Sequence, residues 1–139
     1  MSDSEQKTIY EMVGGDPTFE QLVEEFYARI EADPSLRRMF PDDLEPGKRW
    51  QFLFLTQYFG GPARYAEERG HPRLRMRHMP YPIDAAAQSA WLRHILAAID
   101  AVGIEEPARS VMRDYFERGS AFMINQFQPD DDAPTRKDS

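Results

Sequence analysis

Cysteine is absent from all 139 residues, which excludes disulfides, thiolate metal sites and cysteine nucleophiles. No run of about 18 apolar residues occurs, so no membrane-spanning helix is expected. The first six residues are polar and acidic, unlike a secretory signal. These absences point to an unexported protein of the cytoplasm. Positive charge is scarce as well. Lys and Arg number 17 against 24 Asp and Glu, a net charge of −7, and an acidic chain repels polyphosphate backbones. Nucleic acid is therefore not an expected partner. Internal repeats, sustained period-2 alternation, a glycine-rich phosphate loop and a Ser/His/Asp set are all lacking.

What is present suits one packed domain: 41% of the residues are hydrophobic and 12% aromatic. The apolar spacing is helical. Asp16 or Thr18 is placed to cap a helix that Pro17 begins, with Phe19, Leu22, Val23, Phe26, Tyr27 and Ile30 on one face. Asp33-Pro34 predicts another cap and a short turn through Phe40. A helix from about Pro46 to Phe59, closed by Gly60-Gly61, is apolar almost all round yet contains Gln51, whose amide needs partners if buried. Pro62 to Arg69 predicts a short helix ended by Gly70. Pro72, Pro80 and Pro82 then forbid one long helix. Asp84 is placed to cap a helix presenting Ala87, Trp91, Ile95, Ala98, Ile99 and Val102, which Gly103 stops. Glu106-Pro107 opens the last helix, with Val111, Met112, Tyr115, Phe116, Phe122 and Met123. Residues 128–139 form a polar, acidic tail expected to be disordered. An all-α fold follows, either a bundle or an arrangement of crossing helices.

Three histidines, one basic stretch and three polar groups on apolar faces are candidates for chemistry. From Arg64 to His78, five arginines face two glutamates, a local charge of +3 in an acidic chain. On spacing alone this is more often a solvated loop, and His78 at its end more often a surface residue. A neutral imidazole there is also a suitable iron ligand. His71 precedes a proline and His94 lies one turn beyond Trp91; with no H-x3-H or H-E-x2-H spacing, a non-haem metal site has little support. Tyr27, Gln51 and Trp91 are each read equally well as core residues with satisfied polar ends.

The order of motifs resembles the group II truncated haemoglobins of bacteria and plants. The matching residues are Phe26-Tyr27, Leu36-Arg-Arg-Met-Phe40-Pro41, Gln57-Tyr-Phe-Gly-Gly-Pro62, Tyr65, Gly70-His-Pro-Arg-Leu-Arg-Met-Arg-His78 and Ala90-Trp91-Leu92. Together they span about residues 9–127, so residues 1–127 are expected to form one truncated globin domain.

The resemblance implies a two-over-two helical sandwich around haem b, with His78 as the proximal iron ligand. It implies that O2, CO or NO meets Tyr27, Gln51 and Trp91 on the other face. Phe40 stands where the family packs tyrosine or phenylalanine on the haem. Gly47 stands where longer globins carry a distal histidine. Phe54, Leu55 and Met76 would line the macrocycle, and Tyr65, Arg75, Arg77 or Lys48 would meet its propionates. O2 in such a pocket gains partial negative charge, which the three polar groups are suited to stabilise. The alternative within the same fold is a redox enzyme turning over peroxide or nitric oxide with an external reductase. A haem-free helical interaction module is the reading from another class, and self-association into a homodimer stays open.

Overall fold

In the computed structural model, which describes residues 7–70 and 85–122, every regular element is helical. Seven helices occur among the described residues: α1 (Ile9–Val13), α2 (Asp16–Glu31), α3 (Pro34–Arg37), α4 (Glu45–Tyr58), α5 (Arg64–Arg69), α6 (Ala85–Val102) and α7 (Ala108–Phe122). Thr8 opens α1 with a reciprocal cap. Its hydroxyl accepts from the Glu11 amide and the Glu11 carboxylate accepts from the Thr8 amide, both at 3.1 Å.

The apolar rhythm of α2 becomes its buried face. All six of the residues that set the rhythm, from Phe19 to Ile30, are buried. That face meets α4 on one side and α6 on the other, while α6 also packs on α7. The result is α2 and α4 laid over α6 and α7, the expected two-over-two sandwich. Ile95, Ala98 and Ile99 of α6 and Met112 and Phe116 of α7 complete its core. No described helix is long and apolar enough to cross a membrane.

The expected cap of α2 is a correction. Neither Asp16 nor Thr18 caps it; Gly15 holds the cap position without a side-chain bond. The Asp16 carboxylate instead accepts from Tyr10 Oη at 2.7 Å and from Arg64 at 2.8 and 3.2 Å, and the Thr18 hydroxyl donates to the Val13 carbonyl. Gly14 and Gly15, at φ 106° and 74°, turn the chain so that Asp16 enters the helix as its first residue. A charge-assisted pair with a guanidinium 48 positions away then outweighs a local amide.

Asp33 behaves as the sequence predicts, accepting from the Ser35 amide at 3.1 Å to start α3. Its other oxygen lies 2.7 Å from His94 Nε2 on α6, tying the two helices. The hydrogen bonds from His94 and Ser35 hold the Asp33 carboxyl down at about 2. A depressed carboxyl stabilises the fold above its unfolded value, about 4, and loses that contribution as pH falls towards its folded value. Asp33→Asn keeps the cap and removes the charge. It is expected to lower the thermal midpoint at pH 5, with the gap to wild type closing between about pH 4 and pH 2. A gap that stays constant in acid would remove the Asp33 charge from the account.

Candidate functional site

Phe26 and Tyr27 are neighbours on α2, and successive helical residues diverge by about 100°, so their rings reach different helices. The two rings are perpendicular at 5.3 Å. Phe26 meets Trp91 of α6 at 5.2 Å, and Tyr27 meets Phe40, just beyond α3, at 5.9 Å. Helix α4 closes on the same place. A Cβ added to Gly47 would lie 2.8 Å from Tyr27 Oη, so only glycine lets α4 approach the phenol this closely.

Gln51 lies one turn beyond Gly47, and Gly47, Gln51, Phe54 and Tyr58 form one stripe of α4 at i, i+4, i+7 and i+11. Its Oε1 is buried with no hydrogen-bond partner among the described residues. Leaving such an atom unpaired costs about 1–3 kcal/mol, so an orphan of this kind asks for an explanation. Burial pushes the Tyr27 phenol up to about 12. It therefore keeps its proton, and remains a donor, throughout the physiological range.

Comparison with known proteins identifies the family. The bacterial-like globin family matches residues 8–125. A group 2 truncated haemoglobin of Bacillus subtilis is 43% identical over 122 residues, 88% of this chain and 92% of its own. The chain belongs to the group II truncated haemoglobins. Among solved structures, the haemoglobin of Chloroflexus aurantiacus is 59% identical with a TM-score of 0.86, covering 87% of this chain and all of its own. A truncated oxygen-avid haemoglobin of Bacillus subtilis is 42% identical with a TM-score of 0.82, covering 86% of this chain and all of its own.

Globin membership implies a haem cofactor, and the described residues fit one. Phe40, Phe54 and Trp91 are large apolar side chains left half-buried against the core, the material of a wall for a flat apolar group. The orphan amide of Gln51 shares the α4 stripe with Phe54.

The structure brings Tyr27 and Trp91 against Phe26 and Phe40 against Tyr27, with Gln51 one turn from Gly47. It seats the other expected residues differently. Tyr65 is fully buried, its ring 5.6 Å from Phe54 and 5.9 Å from Trp50. Leu55 lies in the main core. Lys48 has its ammonium 3.1 Å from Glu24 and 3.3 Å from Glu45. His78, Arg75, Met76 and Arg77 lie outside the described residues, as do the proposed cap at Asp84 and the tail.

Two features escaped the sequence reading. The basic stretch is partly consumed by pairing: Arg64 binds Asp16, and the Arg69 guanidinium sits 4.4 Å from the Trp50 ring centroid. Cation–ring stacking of this kind leaves no trace in spacing. Phe26, which links Tyr27 to Trp91, carries no polar atom that would mark it in the sequence; its place beside Tyr27 is the available clue.

Gly47→Ala is expected to overpack the phenol and to destabilise the protein by about 1–3 kcal/mol. Because the clash is with the hydroxyl, adding Tyr27→Phe should recover most of that loss. Thermal unfolding of the two single variants and the double variant measures this coupling. Additive losses would show that the glycine is not held there by Tyr27.

Proposed function

We propose that this globin holds one haem b through His78 and binds O2, and other diatomic ligands such as CO and NO, reversibly in the cytoplasm. The buried amide oxygen of Gln51, unpartnered among the described residues and on the helix that closes against the Tyr27 hydroxyl, is the observation that carries the reading. Haem, when bound, supplies the iron at which a diatomic ligand coordinates.

The chain's own residues do the rest. Amide oxygen and nitrogen are interchangeable in shape, so a half-turn of the Gln51 amide presents an N–H donor at the orphaned position. Tyr27 adds a phenol that stays protonated, and Trp91 adds an indole N–H, which can only donate. Three donors and a dry aromatic wall favour a ligand that gains negative charge, as O2 does. Each hydrogen bond is worth roughly 0.5–1.5 kcal/mol, so two or three slow ligand escape by about ten- to a thousand-fold. An oxygen-avid relative in Bacillus subtilis supports O2 as that ligand.

Phe40, Phe54 and Met76 line the macrocycle in this reading, with Leu55 left to the main core. Arg75 and Arg77 serve the propionates, because the Lys48 ammonium already has two carboxylate partners and Tyr65 is sealed beneath Trp50 and Phe54.

The visible absorption spectrum of the purified protein tests the reading directly. A Soret band that shifts when CO or O2 is added is the expected result. A chain that takes up no haem when haem is supplied would overturn it.

A further inference from the structure

Helix α3 is a single turn, and a helix that short does not hold its own place. It packs on both α2 and α6, yet Leu36 is its one buried side chain. A single apolar anchor is a pivot, so polar ties at the two ends fix the rotation of the turn. At the start, the Asp33 carboxylate holds the Ser35 amide with one oxygen and His94 Nε2 of α6 with the other, at 2.7 Å, and the Asp33 and His94 side chains are only 18% and 16% exposed. At the end, the Arg37 guanidinium donates to the carbonyls of Phe40, Pro41 and Asp42 at 3.4, 3.0 and 3.0 Å, wrapping the turn that presents Phe40.

Helix α3 is therefore a strut that runs from α6 to Phe40. The Phe40 ring stands at 81° to the Tyr27 ring, edge against face. Packing aims that phenol: Phe26 and Phe40 meet its ring, and Gly47 leaves room for its hydroxyl. His94 also lies one turn beyond Trp91 on α6. One pair thus joins the helix that carries Trp91 to the turn that backs Tyr27.

We propose that Asp33 and His94 are positioning residues for the bound ligand: their pair fixes α3, and through Phe40 it fixes the direction in which the Tyr27 hydroxyl donates relative to the Trp91 indole. The proposal rests on the haem reading above. A hydrogen bond weakens steeply as its angle closes, so a small rotation of the Tyr27 ring changes ligand retention while every donor is still present. Breaking a largely buried pair costs stability whatever its purpose, so the ligand has to be read as well as the fold.

The test uses the haem-loaded full chain. It measures O2 dissociation by stopped flow, the thermal midpoint, and the C–O stretching band of the CO complex, which reports the donors around the ligand. Asp33→Ser keeps a capping oxygen for the Ser35 amide but is too short to reach His94, and His94→Leu fills the imidazole space without a donor. Each is expected to speed O2 dissociation by about two- to ten-fold, the value of weakening one hydrogen bond, and to broaden or split the C–O band. The double variant should be no faster than the faster single one, because both changes break the same tie. His94→Gln restores an N–H donor and should return the rate to near wild type. Phe19→Leu loosens the core between Tyr10 and Phe59, two turns from Phe26, and should lower the midpoint with the rate unchanged.

A wild-type O2 rate and C–O band in either folded, haem-loaded variant, Asp33→Ser or His94→Leu, would overturn the proposal and leave the haem reading standing. A His94→Gln as fast as His94→Leu would do the same. So would an equal acceleration in Phe19→Leu, because the rate would then follow lost stability and not the pair. A wild-type chain with no Soret band would overturn both.

Discussion

Replacing His78 with alanine is expected to strip most of the haem from the purified protein and to remove the nitrogen-ligand signature from the ferrous spectrum. The chain has three histidines and no cysteine, so imidazole is the strongest iron donor available. His94 is already engaged. Its Nε2 lies 2.7 Å from the Asp33 carboxylate, between α6 and the start of α3, in a pair that serves the fold. His71 precedes a proline, which biases it towards extended backbone. His71→Ala and His94→Ala should therefore leave the iron spectrum nearly unchanged, although His94→Ala should cost stability. Exogenous imidazole added to His78→Ala should restore a nitrogen-ligated spectrum by filling the space left by the ring. Normal haem content and an unaltered ferrous spectrum in His78→Ala would reassign the ligand.

Trp91→Phe is expected to accelerate O2 dissociation by roughly ten-fold or more, since losing a hydrogen bond to a charged acceptor costs about 1.5–3 kcal/mol. The substitution separates hydrogen-bond donation from packing. Trp91 packs 5.2 Å from Phe26 and 6.0 Å from Phe116, so part of its value is apolar contact, and phenylalanine keeps most of that. The indole N–H disappears together with a minor part of the ring area. CO, which gains less negative charge than O2, should respond more weakly, and the ratio of the two effects isolates the donor from any change in pocket shape. If O2 leaves a folded, haem-replete Trp91→Phe at the wild-type rate, the tryptophan is packing alone. The stabilising role then passes to Tyr27 and Gln51.

Helices α2 to α7 were legible one segment at a time, whereas α1 was not read although Thr8 and Glu11 spell its reciprocal cap. The buried face of α2 follows from residues three and four apart, and Asp33 caps α3 because its partner amide is two residues away. Gly60 and Gly70 mark ends because a left-handed backbone is nearly free only to glycine. Information of this kind is local, and local chemistry is enough to act on it. Asp16 shows where that reasoning fails: its type and position suit a cap, and a guanidinium 48 residues away takes it.

The sequence by itself determined that the protein is helical, where α2 to α7 run, most of the faces they bury (Val111 of the α7 set is 47% exposed), and, through the order of its motifs, the globin family to which it belongs. Tertiary structure alone decided that Tyr27 and Trp91 meet Phe26 while Phe40 meets Tyr27, that Gly47 must stay small for the Tyr27 hydroxyl, and that Gln51 keeps a buried oxygen without a partner among the described residues. It also decided that the Tyr58 and Tyr115 rings meet at 4.3 Å. The physical reason is that helical period records only which side of a helix avoids water. Which residues meet across that side depends on how α2, α4, α6 and α7 cross, and the crossings are set by the shapes of all the packed side chains together.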